Sequence, residues 1–259
     1  MSTRTTPWEP GTPCWFDLTA ADLAATTRFY AETFGWDLMD TGEDFGHYTF
    51  CLVRGMPVAG IGGMPAGGAG PSPVWTVYLA VEDADKTMEA VSAHGGTVIL
   101  PPMAIADQGR MGLAIDPTGA MFGIWQAGAM FGAVLVNEPG GVVWNDHHSA
   151  DSKAARDFYA AVFGYHYSEV PGGQDYVSID GAGPGDTIGG IGGSDDSQPA
   201  DLAAHWMTYF AVESVDDAAA GAAAAGGSVV SAPEDTPFGR MATLRDVQGT
   251  YLKIGSGMQ

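Results

Sequence analysis

Basic residues are scarce in this sequence. Lys and Arg total 10 against 31 Asp and Glu, for a formal net charge of −21 over 259 residues. A surface that acidic repels phosphate backbones and anionic lipid heads, so neither nucleic acid nor a membrane surface is expected as a partner. Cysteine is nearly absent: Cys14 and Cys51 are too few for a disulfide framework and show no metal-ligand spacing. Both are expected to be free thiols, packed as small hydrophobes with no basic neighbour in sequence to activate them. No apolar run approaches the ~18 residues a membrane span needs. The opening MSTRTTPWEP contains no apolar h-region. These absences lead us to expect a soluble, cytoplasmic protein.

Apolar material is plentiful. Hydrophobic residues make up 46% of the chain and charged residues 16%, a balance that supports a sizeable core rather than disorder. The dominant feature is an internal repeat. CWFDLTAADLAATTRFYAETFGWDL from Cys14 recurs as VWNDHHSADSKAARDFYAAVFGYHY from Val143. Trp15, Asp17, Asp22, Phe29, Tyr30, Phe34 and Gly35 return at an offset of 129 as Trp144, Asp146, Asp151, Phe158, Tyr159, Phe163 and Gly164. GIGG at Gly60–Gly63 recurs at Gly190–Gly193, GRM at Gly109–Met111 recurs at Gly239–Met241, and DPTGAMFGI from Asp116 recurs as DVQGTYLKI from Asp246. Two copies of one domain are therefore expected, over residues 12–130 and 141–257. They meet at the Pro- and Gly-containing loop Asn137–Gly141.

Each copy reads as strand, helix and three strands, done twice. In the first copy, Asp22 is a plausible N-cap for a helix ending at Gly35 in the C′ position. Short strands are predicted at Trp36–Met39, Tyr48–Val53, Val58–Gly62 and Val74–Val81. A helix over Ala84–Ala93 follows, then strands near Thr97–Leu100, Met111–Ile115 and Met121–Trp125. This is an α+β pattern of mixed sheets covered by helices on one side. The glycine-rich stretches Gly60–Gly70 and Gly181–Gly193 lack the Lys and Ser/Thr of a phosphate-binding loop, and no G-x-S-x-G elbow is present. They are read as turns and close strand contacts, and no cofactor is expected.

The βαβββ order, the Asp-to-Phe-Tyr helices at Asp22–Tyr30 and Asp151–Tyr159, the Phe-Gly pair before the next strand and the turn at Asp116–Gly119 resemble the vicinal oxygen chelate superfamily. That superfamily includes glyoxalase I, extradiol dioxygenases, fosfomycin-resistance proteins and bleomycin-binding proteins. The opening PCWFDL and the segment GAMFGIWQ resemble a narrower branch of tandem glyoxalase-like proteins of actinomycetes, some of them accessory proteins of anthracycline biosynthesis. The resemblance implies four βαβββ units forming two cupped, half-open barrels, each with a ligand in its cup. It also implies metal ligands on the first and last strands of the units. Those positions hold Trp15, Thr76, Trp144 and Met207 on first strands, and Gly123 and Lys253 on last strands. The remaining last strands, VAGIGG and DTIGGIGG, offer only Asp186 at an edge. Indole, thioether and ammonium groups do not make a metal site, so none is expected. A register shift of two would bring in Asp17 and Asp146 and leave a metal-dependent lyase or dioxygenase as the alternative.

Strand parity carries the remaining site expectations. Trp15 with Asp17, and Trp144 with Asp146, recur at period two and would line a cup, suiting a flat aromatic or a cationic ligand; core packing and backbone capping are the structural alternative. Thr76, Tyr78, Met207, Tyr209 and Lys253 would face the same cups. His147 and His148 are adjacent, so they point to opposite faces, with His148 on the side of Trp144 and Asp146. His148, oriented by Asp146, is the candidate general base, since imidazole titrates near working pH. Its counterpart Thr19 cannot serve, so any proton transfer is assigned to the second copy. His47, Tyr48, Trp125, Phe238 and Met241 are weaker rim candidates. The reading is a metal-independent protein binding a hydrophobic, aromatic small molecule, either sequestering it or acting as an accessory isomerase or cyclase. It would be a monomer with paired domains or a homodimer.

Overall fold

A computed structural model describes residues 4–64, 74–172, 175–183, 185–193 and 202–257. Parts of the two glycine-rich stretches, residues 65–70 and residue 184, lie outside the described residues. Strand β1 spans Pro13–Ala20, helix α1 Leu23–Phe34, β2 Asp37–Asp40, β3 Thr49–Val53 and β4 Met56–Gly63. The unit repeats as β5 Thr76–Ala80, α2 Ala84–Ala93, β6 Thr97–Ile105, β7 Gly109–Ile115 and β8 Met121–Ala127. The second half begins with β9 Val142–His148, α3 Ser152–Phe163, β10 Tyr167–Glu169, β11 Tyr176–Asp180 and β12 Thr187–Gly192. It closes with β13 His205–Ala211, α4 Val215–Ala224, β14 Ser228–Thr236, β15 Gly239–Arg245 and β16 Tyr251–Ser256.

The halves build two eight-stranded sheets of the same order, β2-β3-β4-β1-β5-β8-β7-β6 and β10-β11-β12-β9-β13-β16-β15-β14. Each sheet is cupped rather than closed. Asp22 and Asp151 cap their helices by accepting from Ala25 N at 3.0 Å and Ala154 N at 2.9 Å. Gly35 (φ 67°) and Gly164 (φ 72°) end those helices in the left-handed conformation that costs glycine least. Trp36, expected in a strand, lies just before β2. Its ring is buried against Tyr30, Trp75 and Phe210, and its indole donates to Gly140 O at 2.7 Å in the inter-copy loop. That loop is therefore docked against the first half. No helix among the described residues is long and apolar enough to cross a membrane.

The helices lie opposite the cups, and those of one half pack on those of the other, α1 on α4 and α2 on α3. A reciprocal pair of hydrogen-bonded networks sits in this seam. Trp75 Nε1 donates to Tyr30 Oη at 3.0 Å, and Tyr30 Oη donates to Asp246 Oδ2 at 3.1 Å in the other half. In mirror fashion, Trp206 Nε1 donates to Tyr159 Oη at 2.7 Å, and Tyr159 Oη donates to Asp116 Oδ2 at 3.2 Å. The Phe-Tyr helices and the Asp turns, the two repeated motifs most visible in the sequence, thus pin the halves together. One side carries more. His147 Nε2 lies 2.7 Å from Asp116 Oδ2, both side chains wholly buried, whereas the counterpart of His147 is Leu18. The ionisation of the two aspartates diverges accordingly. Burial raises the carboxyl of Asp246 against its backbone and Tyr30 hydrogen bonds. At Asp116 burial acts the same way but is outweighed by the hydrogen bond and charge of His147, so that carboxyl lies below the usual range.

Candidate functional site in the C-terminal cup

Register places the site residues in rows across the second sheet. Trp144 on β9 pairs with Tyr209 on β13, which pairs with Lys253 on β16, which pairs with Thr243 on β15. One step along β9, Asp146 lies between Gly190 of β12 and Met207 of β13. A further step on, His148 lies between Gly192 and His205. Directly paired residues share a sheet face, so these side chains converge on the concave side.

Asp146 is the hub of the cluster. Trp144 Nε1 and Tyr176 Oη both donate to Asp146 Oδ1 at 2.6 Å, and Tyr209 Oη donates to Oδ2 at 2.7 Å. Burial and the adjacent carboxylate push the Tyr176 phenol well above its ordinary range, so it stays a donor. Tyr176 reaches Asp146 by lying across the GIGG strand: a Cβ on Gly190 would stand 2.1 Å from the Tyr176 hydroxyl. The glycine repeat therefore makes room for a tyrosine, which is one form of the close strand contact expected. His148 Nε2 is 3.9 Å from Asp146 Oδ2, and its ring stacks on that of His205 at 5.4 Å. Burial, helped by the charges of His148, His147 and Lys253, holds His205 down to about 4 against the hydrogen bond to Ala203 O, so His205 is neutral at neutral pH. Lys253 Nζ lies 5.2 Å from the centre of the Tyr209 ring.

These groups border a cavity of about 1160 Å³. Its wall includes Trp144, Asp146, His148, Tyr176, Tyr209, Thr243 and Lys253, with Ile188, Phe238 and Met241 adding apolar surface. Trp8, Thr12, Pro13 and Phe16 of the first half also border it, so pairing of the halves helps to build it. Met207 is wholly buried beside Tyr209 and Tyr251.

The first cup keeps the same set of one Trp, one Asp and two Tyr in a different arrangement. Trp15 pairs with Tyr78, which pairs with Gly123, and Asp17 pairs with Thr76. Tyr78 Oη donates to Asp17 Oδ2 at 2.9 Å, and Trp15 Nε1 donates to the Tyr48 hydroxyl at 2.9 Å. Tyr48 lies across Gly60 as Tyr176 lies across Gly190. The Tyr78 ring covers Gly123, where the second cup has Lys253. Trp15 is 4% exposed and packs edge-on against Phe50, inside the main core. Burial pushes Asp17 up to about 7, against hydrogen bonds from Tyr78 and Thr76 that lower it. The sign follows: folded Asp17 keeps a proton that the unfolded chain releases near 4, so its contribution is full below pH 4 and is lost as pH rises through 7. With partial solvent access discounted, wild type is expected to lose on the order of 2 kcal/mol relative to Asp17→Asn between pH 4 and pH 8 in urea unfolding. Parallel profiles for the two proteins would contradict this.

The remaining candidates fall elsewhere. His47 is exposed and pairs with Asp40, and the Trp125 indole donates to Met130 O. Asp186 lies beside Asp180 and Thr187 in a separate, smaller depression. Cys14 and Cys51 are buried, and burial raises both thiols far out of the reactive range. Tyr176 and His205 received no role from the sequence. Tyr176 was findable as the repeat partner of Tyr48; His205, whose counterpart is Val74, had no such signal.

The donor set does not suit the metal that the fold implies. Both oxygens of Asp146 already accept hydrogen bonds, and Trp144, Met207 and Lys253 occupy ligand positions with an indole, a thioether and an ammonium. Among the described residues no group of three His, Cys, Asp or Glu side chains could hold an ion.

Comparison with known proteins agrees with the duplicated βαβββ fold. Over 253 residues the chain is 40% identical to "Putative glyoxylase CFP32" of Mycobacterium tuberculosis, covering 95% of each. Over 273 residues it is 36% identical to "Anthracycline biosynthesis protein DnrV" of Streptomyces peucetius, covering 96% of this chain and 94% of that protein. Among solved structures, the Mn(II)-bound glyoxalase from Novosphingobium aromaticivorans superposes with a TM-score of 0.65 at 17% identity, over 96% of this chain and 83% of that one. The 2,3-dioxygenase LapB from Pseudomonas sp. KL28 gives 0.66 at 13% identity, over 96% and 94%. These two likenesses concern the fold alone. The family model for the Glyoxalase/Bleomycin resistance protein/Dioxygenase superfamily matches residues 14–124 and 149–254, and the chain belongs to that superfamily.

Proposed function

We propose that the C-terminal cup binds a hydrophobic, aromatic small molecule without a metal ion. The cavity of about 1160 Å³ carries this reading, with aromatic and aliphatic side chains in its wall beside the hydrogen-bonded Asp146 cluster. Ligand sites of this kind span ~300–1000 Å³ and combine apolar lining with a few placed polar groups; this one has room for a fused-ring compound. Trp144 supplies a flat face for stacking, and its indole N–H is fixed by Asp146. The anthracycline biosynthesis relative, named for a fused-ring product, is consistent with that ligand class. Titration of intrinsic tryptophan fluorescence with anthraquinone-2-carboxamide tests it. Saturable binding in EDTA is the expected result, and no binding at any soluble concentration would refute it.

A second reading, that the cup isomerises or cyclises its ligand, is favoured by His148. The imidazole borders the cavity beside Asp146, where it would take a proton from a carbon next to a carbonyl and return one from solvent. Anthrone, a planar ketone with an acidic methylene, reports this directly. The protein is expected to speed deuterium uptake at that carbon, and His148→Ala to reduce the acceleration by ~10²-fold or more. An unaltered exchange rate in folded His148→Ala would leave binding as the whole function.

A further inference from the structure

We infer that Asp116 of the first half is a positioning residue for the second cup: through His147 it fixes the strand that carries Trp144, Asp146 and His148. This rests on the reading of the cup as a small-molecule site and adds what the first half does for it. Side chains alternate along β9, so His147 points away from the cup, while its chain neighbours Asp146 and His148 border the cavity. His147 Nε2 lies 2.7 Å from Asp116 Oδ2, with both side chains wholly buried. Asp116 is itself held in place, because its Oδ1 accepts from Thr118 N, Thr118 Oγ1 and Ala120 N. The imidazole is enclosed as well: the rings of Tyr159 and Trp206 each stand 5.4 Å away, edge-on. Sliding or twisting β9 would break a short buried hydrogen bond and leave both partners desolvated. The first half therefore grips β9 from behind, between the two positions where the hub and the imidazole of the cup project.

Adhesion between the halves does not account for His147. The mirror seam of Trp75, Tyr30 and Asp246 joins the halves with Leu18, buried and apolar, at the corresponding position. An imidazole beside a carboxylate is costlier to bury than a leucine, and such a pair favours one arrangement over its neighbours at the expense of stability. The copies also differ in what lies on the other face of the strand. Behind Leu18 are Asp17 and Thr19, with Trp15 packed in the main core. Behind His147 are two residues of the cavity wall. On the β12 side, Gly190 and Gly192 stand opposite Asp146 and His148, so no direct cross-strand side-chain pair holds them there.

Fluorescence titration with anthraquinone-2-carboxamide in EDTA tests this, with the two copies as each other's control. His147→Leu, checked for its fold by circular dichroism, is expected to bind the probe about tenfold more weakly than wild type. His147→Gln, whose amide extends as far as Nε2 and donates to Asp116, should restore most of the affinity. Tyr30→Phe removes the hydroxyl of the mirror seam; it should lower the urea midpoint and leave probe affinity within about twofold. Wild-type affinity in His147→Leu, or an equal loss in Tyr30→Phe, would overturn the inference while the cavity stands as a binding site. Failure of wild type to bind the probe would overturn both. Should His147→Leu not fold, wild type decides by reciprocity: saturating probe should slow hydrogen exchange of the Thr118 and Ala120 amides that Asp116 holds. Unchanged exchange at those amides would overturn the inference.

Discussion

Asp116→Ala is expected to lower the unfolding free energy by about 3–5 kcal/mol, because several buried donors lose their shared acceptor at once. The carboxylate serves two functions. Oδ1 accepts from Thr118 N at 2.8 Å, Thr118 Oγ1 at 2.7 Å and Ala120 N at 3.1 Å, shaping the turn between β7 and β8. Oδ2 accepts from His147 and Tyr159 of the other half. Truncation leaves those buried donors without their acceptor, each at a cost of about 1–3 kcal/mol before relaxation. Asp246→Ala should cost less, about 1–3 kcal/mol, because Leu18 stands where the His147 counterpart would be. The pH dependence has a definite sign. Since Asp116 is held below the usual carboxylate range, its contribution is present above the ordinary carboxylate pKa and is lost as pH falls below it. Wild type should therefore lose more stability than Asp116→Ala between pH 5 and pH 3. A change under 1 kcal/mol at neutral pH in urea would show that the seam does not depend on this residue.

The two repeated tryptophans are expected to fail differently. Trp144→Ala should weaken binding of a planar aromatic ligand by about 2–4 kcal/mol, as for a central hot-spot residue, which is roughly 30- to 1000-fold in affinity. Trp15→Ala should act on stability, by about 3–5 kcal/mol for a large aromatic removed from a core. The two positions align in sequence, but Trp144 borders the open cavity and Trp15 is enclosed with Phe50 and Tyr48. If Trp144→Ala lowers the urea midpoint sharply and leaves affinity per folded molecule intact, that residue is core and the stacking face is elsewhere.

Much of the fold was legible because the chain states it twice. The helix caps at Asp22 and Gly35 and the helix Ala84–Ala93 are local, and local chemistry fixes them. Parity on β1 and β9 puts Trp15 with Asp17, and Trp144 with Asp146 and His148, on single faces, because side-chain alternation needs no tertiary information. The destinations of those faces were not legible. Parity places His147 on the face opposite His148 but names no partner there; it meets Asp116, 31 positions earlier in the chain. Tyr176 reaches Asp146 only because Gly190 lacks a Cβ, a relation between strands that single-strand patterns do not encode. Trp36 was read into a strand from its β propensity, and the aromatic seam between the halves draws it out.

The central claim is that the second cup, built around Asp146, holds an aromatic ligand without a metal. Isothermal titration of anthraquinone-2-carboxylate into EDTA-dialysed protein tests it most directly, with wild type and Trp144→Ala measured side by side. The expected result is one molecule bound per chain in wild type, with affinity reduced at least 30-fold in folded Trp144→Ala. Binding that appears only after Mn(II) or Zn(II) is added, or affinity that is equal in the two proteins, would contradict the claim.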